Sequence, residues 1–92
     1  MYQLIDTTQF RKDLKKIKKN SNYFLLASKV LRILAKEGVA GIPTTMKPHK
    51  LKGKYQNDWE CHIKPDLLII WFQIESPKKI TLIRIGSHSD LF

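Results

Sequence analysis

The segment Leu67 to Ile74 is apolar at nearly every position and rich in β-branched and aromatic residues, and it constrains the fold more than any other. A run of that length bounded by turn formers reads as a strand, and the lack of alternation marks a central strand covered on both faces. The bounding turns are Lys64-Pro65-Asp66 and Ser76-Pro77-Lys78, each with a proline that presets a backbone angle. Short turns of this kind join antiparallel neighbours. The flanking strands are then about Tyr55 to Ile63 on one side and Ile80 to Ile85 on the other.

The first half of the chain has a helical period instead. Tyr2 to Ile5 suits a short opening strand, and Asp6 followed by Gln9 has the spacing of a capping box. Phe10, Leu14 and Ile17 then form one apolar stripe, with Arg11, Lys12, Lys15, Lys16, Lys18 and Lys19 on the other face. Asn20-Ser21-Asn22 interrupts this helix and caps a second, in which Tyr23, Leu26, Ala27, Val30 and Leu34 recur at helical spacing. Gly38 stops it, since glycine tolerates the left-handed conformation of a helix end. Residues 38–54, punctuated by Gly38, Gly41, Pro43, Pro48 and Gly53, read as a loop containing His49, and residues 86–92 as a polar tail. The order is β-α-α-β-β-β. It predicts an α+β fold, two N-terminal helices packed on a small, mainly antiparallel sheet. The 92 residues allow one domain, 1–92.

Seventeen Lys and Arg against eight Asp and Glu give a net charge of +9. That excess favours a polyanionic partner, because neutralising phosphates releases condensed counterions. A ribosomal-type or simply soluble basic protein, or one drawn to an anionic membrane surface, satisfies the same number. The single cysteine, Cys61, has no internal disulfide partner, which points to a reducing cytoplasm. No apolar run approaches the roughly 18 residues of a membrane span, and the first residues lack the pattern of a signal peptide. A cytoplasmic protein is expected.

Three histidines carry the candidate chemistry: His49, His62 and His88. Metal binding fits poorly, because Cys61 and His62 are adjacent on a strand and point to opposite faces. Neither Cys-x-x-Cys nor His-Glu-x-x-His occurs. Cys61 alternates with Trp59 and Ile63 and so belongs to the core-facing set, which argues against a thiol nucleophile. No glycine-rich phosphate loop is present. Acid–base chemistry on a phosphate remains: one group removes the proton of a 2′-hydroxyl, another protonates the leaving 5′-oxygen, and a cation stabilises the charge between them. Histidine suits both proton roles, with an ordinary pKa near 6.5. Arg84 suits the third, since guanidinium matches phosphate geometry. Phe92 is a candidate for stacking a base, whereas Trp59 and Trp71 read as core.

The run HKLKGKYQNDWECHIKPDLLIIWF, from His49, and the closing LIRIGSHSDLF together resemble the YafQ-type branch of the RelE/ParE toxin superfamily. The shared pattern is His-x-Leu-x-Gly before a strand, then His-x-x-Pro-Asp, then Arg-x-Gly-Ser-His with Leu-Phe at the end. The resemblance implies a RelE-like microbial ribonuclease fold and a type II toxin that cleaves mRNA, commonly on the ribosome, without a metal or other cofactor. It implies silencing by a cognate acidic antitoxin, and a toxin that is monomeric by itself. The matching positions imply an active site of His49, His62, Asp66, Arg84, His88 and Phe92. His88 is then a proton-transfer residue with Asp66 or His62 as counterpart, Arg84 holds the phosphate, and Phe92 positions a base. Lys50 and Lys52, inside the first motif, are candidate RNA contacts. Some relatives carry Trp after the Asp, where this chain has Leu67. Two rivals share parts of the evidence: a ParE-like binder that poisons a DNA topoisomerase, and a non-catalytic RNA-binding module. A pure binder has no need of three histidines and Asp66.

Overall fold

A computed structural model describes all residues, 1–92. The chain runs through strand β1 (Gln3–Asp6), helices α1 (Thr8–Ile17) and α2 (Ser21–Glu37), strands β2 (His49–Lys50), β3 (Trp59–Lys64), β4 (Leu67–Glu75) and β5 (Lys78–Gly86), and a last helical turn, α3 (His88–Leu91). Three 3-10 turns, Gly38–Gly41, Thr44–Met46 and Gly53–Tyr55, lie in the middle of the chain. The five strands form one sheet in the order β1-β5-β4-β3-β2. β1 pairs parallel with β5, and every other neighbour is antiparallel. The α+β architecture with helices on a mainly antiparallel sheet is as expected.

Local differences from the sequence-based expectation each have a cause. α1 is capped by Thr7, not Asp6: the Thr7 hydroxyl accepts from the Phe10 N–H at 3.1 Å and donates to the Leu82 carbonyl at 2.8 Å. Asp6 is held in the β1–β5 ladder opposite Leu82. Asn20 caps α2 by accepting from the Tyr23 N–H. Residues 38–54 are not a plain loop. His49 pairs with Glu60 and Lys50 with Trp59, so His49 stands on a strand too short to show alternation. Tyr55 ends a 3-10 turn rather than opening β3. The tail is not irregular either, because Ser87 caps α3 and Leu91 is buried beneath it.

Gly38 is required where it stands. Its φ is +65°, and a Cβ there would lie 2.7 Å from the Tyr2 ring and 2.8 Å from the Gln73 amide nitrogen.

The sheet has a core on each side. Phe10, Ala27, Val30 and Leu34 of the helices pack on Cys61, Ile69, Trp71, Ile80 and Leu82. On the other face Leu68 and Ile70 pack with Tyr55 and Leu91, flanked by Leu51 and Ile83. β4 is therefore covered on both faces from Leu67 to Trp71 only. At Phe72, which is 43% exposed, the cover of α3 and Tyr55 has ended. Trp71 is fully buried and Trp59 partly so. No helix is long and apolar enough to cross a membrane.

Candidate active site

Cross-strand partners share a face of a sheet, so the register shows which side chains can meet. One row runs His49, Glu60, Ile70, Arg84, and the next runs His62, Leu68, Gly86. Ile70 and Leu68 belong to the core beneath α3. His49, Glu60, His62 and the base of Arg84 thus occupy the face away from α1 and α2. Lys50 does not: it alternates with His49, and its ammonium lies over the Trp59 ring at 5.5 Å. Lys52 is exposed in the segment between β2 and β3.

At the β2–β3 end, three groups converge. The Nε2 of His49 is 3.2 Å, and that of His62 3.7 Å, from the same oxygen, Oε1 of Glu60. The two imidazoles stack at 6.2 Å between centroids. Nδ1 of His49 lies 2.7 Å from the Lys47 carbonyl, which can only accept, so Nδ1 carries a proton. Nε2 then faces a carboxylate oxygen. A proton on Nε2 turns that contact into a hydrogen bond, whereas its absence sets two lone pairs against each other. Glu60 is 4% exposed and its Oε2 has no hydrogen-bond partner, an expensive arrangement that the fold tolerates. Sequence reading missed Glu60, although Glu-x-His on a strand places both side chains on one face.

At the β5–α3 end, Asp66 sits in the β3–β4 turn and accepts the backbone N–H of His88 at 3.0 Å. The His88 ring lies 4.9 Å from Phe92, and Phe92 meets the edge of Tyr55 at 5.5 Å. Tyr55 donates to the Leu91 carbonyl, which pins α3 to the sheet. Phe92 itself is 56% exposed.

Arg84 links this end to α1. β1 pairs no further than Leu82, so β5 beyond it has a free edge. Asp13 fills the gap. It accepts from Arg84 Nε at 2.7 Å, from Arg84 Nη2 at 3.1 Å and from the Ile85 N–H at 3.1 Å. Burial works to raise the Asp13 pKa, but the hydrogen bonds from Arg84, Gln9 and Ile85 and the Arg84 charge together hold it below the ordinary range. The same carboxylate raises the Arg84 pKa against the opposing effect of burial. Two of the five guanidinium N–H donors are engaged by Asp13, and the Tyr55 hydroxyl also stands beside the guanidinium. Arg84 therefore pairs on one side only, with Ile70 of β4, and Asp13 takes the place of a strand on the other. Asp13 was also missed, though a carboxylate at the i+3 position of the Phe10 stripe signals a buried partner.

Cys61 points into the helix-side core. Burial, aided by the Glu60 charge, pushes its thiol up to about 12, which removes it as a nucleophile.

Glu60 and His62 stand on β3 and Arg84 on β5, two strand spacings or about 10 Å apart along the sheet, and Asp66 in the β3–β4 turn holds the His88 N–H. Such a face offers proton donors and acceptors, a guanidinium and an exposed aromatic ring.

A family model described as a bacterial toxin of type II toxin-antitoxin systems, YafQ, matches residues 2–92. No curated protein sequence matches the chain significantly. A metal-bound toxin from Helicobacter pylori is 38% identical, superposes with a TM-score of 0.85, and is covered fully in both chains. YafQ from Escherichia coli is 22% identical with a TM-score of 0.88, over 100% of this chain and 99% of that one. YafQ in its complex with DinJ is 23% identical with a TM-score of 0.86, at the same coverage. These two show the shared fold. The match over nearly the whole length, on a fold with the expected order of elements, assigns the chain to the YafQ family of bacterial type II toxins.

Proposed function

We propose that this toxin is an endoribonuclease that cleaves mRNA by attack of the 2′-hydroxyl on the adjacent phosphorus. The observation that supports the reading is the convergence of His49, Glu60 and His62 on the sheet face that also carries the base of Arg84, with His88 held at its end by Asp66. His88 is exposed, and no side chain accepts from or donates to its ring, so it is free to take the 2′-hydroxyl proton. The His49–Glu60–His62 group, with two imidazoles on one carboxylate oxygen, supplies a proton to the leaving 5′-oxygen. Arg84 keeps free N–H donors for the phosphorane, where fixed charge stabilises the transition state most. Asp66 seats His88, and Phe92 offers a ring for a base.

The related Helicobacter pylori toxin was solved with metal bound. In this chain His49 and His62 both address one Glu60 oxygen, and no three His, Cys, Asp or Glu side chains are arranged to hold an ion.

The basic charge of +9 and the lysine face of α1 suit an acidic antitoxin segment and, when that is absent, ribosomal RNA. YafQ of the DinJ–YafQ complex offers the parallel of a toxin held by a partner protein.

The test is expression of His88→Ala as stably folded protein. Loss of one proton-transfer group should slow mRNA cleavage roughly 10²–10⁴-fold. Undiminished cleavage and growth arrest would remove His88 from the mechanism. DNA breakage with intact mRNA would favour topoisomerase poisoning instead.

A further inference from the structure

The β3–β4 turn has two sides. On one, Asp66 holds the His88 N–H. On the other, Lys64 and Pro65 wall a cavity of about 340 Å³ that runs back to the Thr44–Met46 turn. That volume is at the lower end of the roughly 300–1,000 Å³ of small-ligand sites. Met46, Ile63 and Pro65 give it apolar surface, His62 forms a wall shared with the candidate active site, and Lys47 and Lys64 are its exposed cations.

The open edge of β3 is a second observation. β2 pairs only with Trp59 and Glu60, which leaves β3 without a strand on that side from Cys61 onward. No main-chain hydrogen bond ties these residues to the Thr44–Met46 turn, so backbone donors and acceptors of β3 face the cavity region unclaimed. Unpaired edge groups beside an apolar wall suit a flat heterocycle with polar edges.

Lys47 belongs to both places. Its φ is +53°, a left-handed conformation, and its carbonyl accepts from His49 while its side chain lines the cavity. Occupancy of the cavity therefore touches the residue that orients His49.

We infer that this cavity is a nucleotide subsite: it binds the nucleotide flanking the scissile bond and selects the sequence that is cut. The inference rests on the ribonuclease reading above. RNA held at Arg84 and His88 crosses the β3–β4 turn past His62. The next base enters between Met46 and Pro65 and is read by the β3 edge, and its phosphate lies between Lys47 and Lys64.

Binding and cutting are tested separately. His88→Ala protein is titrated with each of the four nucleoside 5′-monophosphates and with inorganic phosphate, followed by backbone amide NMR. One base should bind best, with the largest shifts at Thr45–Lys47 and His62–Lys64. Thr45→Trp, which fills the cavity from an exposed position, should weaken that binding roughly ten-fold, as should Lys47→Asn combined with Lys64→Ala. Asn is chosen because it tolerates the left-handed backbone. In the otherwise wild-type toxin the same variants should change the distribution of cut sites when cleaved mRNA is sequenced. Shifts confined to Arg84–Phe92, equal affinity for all four bases and for phosphate, or unchanged cut sites in Thr45→Trp would overturn the subsite. Intact mRNA with the unaltered toxin would defeat the ribonuclease reading instead, and the titration would still decide whether the cavity binds a nucleotide.

Discussion

Replacing Asp13 with Ala should destabilise the protein more than any other change to an α1 residue apart from Phe10. The substitution leaves the Arg84 guanidinium and the Ile85 N–H without their common acceptor. Removing one partner of a buried pair costs about 3–5 kcal/mol. Arg84 keeps 19% of its side-chain exposure, so water recovers part of its loss and the lower end applies, about 3 kcal/mol. Domains of this size have roughly 5–14 kcal/mol in total. The melting temperature should fall by roughly 12–24 °C. Urea unfolding followed by the fluorescence of Trp59 and Trp71 measures the change directly, with the slope m expected to stay constant. A double-mutant cycle with Arg84→Ala isolates the coupling. The pH adds a sign. The folded Asp13 pKa is depressed, so its contribution is present above the ordinary carboxylate pKa, near 3.9, and is lost as pH falls through the lower folded value. The gap between wild type and Asp13→Ala should therefore be full at pH 7 and close below about pH 4. A loss under about 1 kcal/mol at pH 7, or a cycle with no coupling, would refute the account of Asp13 as the anchor of Arg84.

Other expectations are quicker to check. If the ribonuclease reading holds, Glu60→Gln should slow cleavage, because the two imidazoles lose the carboxylate oxygen that both address; an unchanged rate would exclude that role. Cys61 should react with thiol reagents only as the protein unfolds, given full burial and a pKa raised to about 12; rapid labelling of native protein would contradict the core placement. Tyr55→Phe removes the bond to the Leu91 carbonyl and should cost about 1 kcal/mol, with looser α3 amides by hydrogen exchange. A chelator should leave single-turnover cleavage unaltered, since His49, Glu60 and His62 do not close around an ion; lost activity restored by a divalent cation would reverse that conclusion.

What could be read from the sequence is what repeats or what breaks a repeat. The uninterrupted run at Leu67 identifies the central strand, the Phe10 stripe identifies α1, and the prolines at 65 and 77 identify the turns. His49, His62, Asp66, Arg84, His88 and Phe92 were legible only as ordered motifs, and the fold then brings them to one face of the sheet. β2 and α3 are two and four residues long, below the length at which either period can register. Glu60 and Asp13 escaped for a different reason. Each is a carboxylate at an inward position, and its meaning depends on a partner from another element, His49 for one and Arg84 for the other. Charge at an inward position was the available signal.

The pairing of β1 with β5 also imposes an order of events on synthesis. Thr7 bonds to Leu82 and Asp13 to Arg84 across 75 and 71 residues of sequence. At about 5–20 residues per second, the N-terminal strand and helix wait roughly 4–15 s on the ribosome for those partners to be made. During that interval the stripe of Phe10, Leu14 and Ile17 has no sheet to rest on. Arg84 has no fixed direction until Asp13, long since translated, closes on it, and α3 has no floor until β4 and β5 are paired. The helical surface of this toxin exists before the face that carries His49, Arg84 and His88 does, so a partner that recognises the helices can reach the nascent chain before that face is assembled.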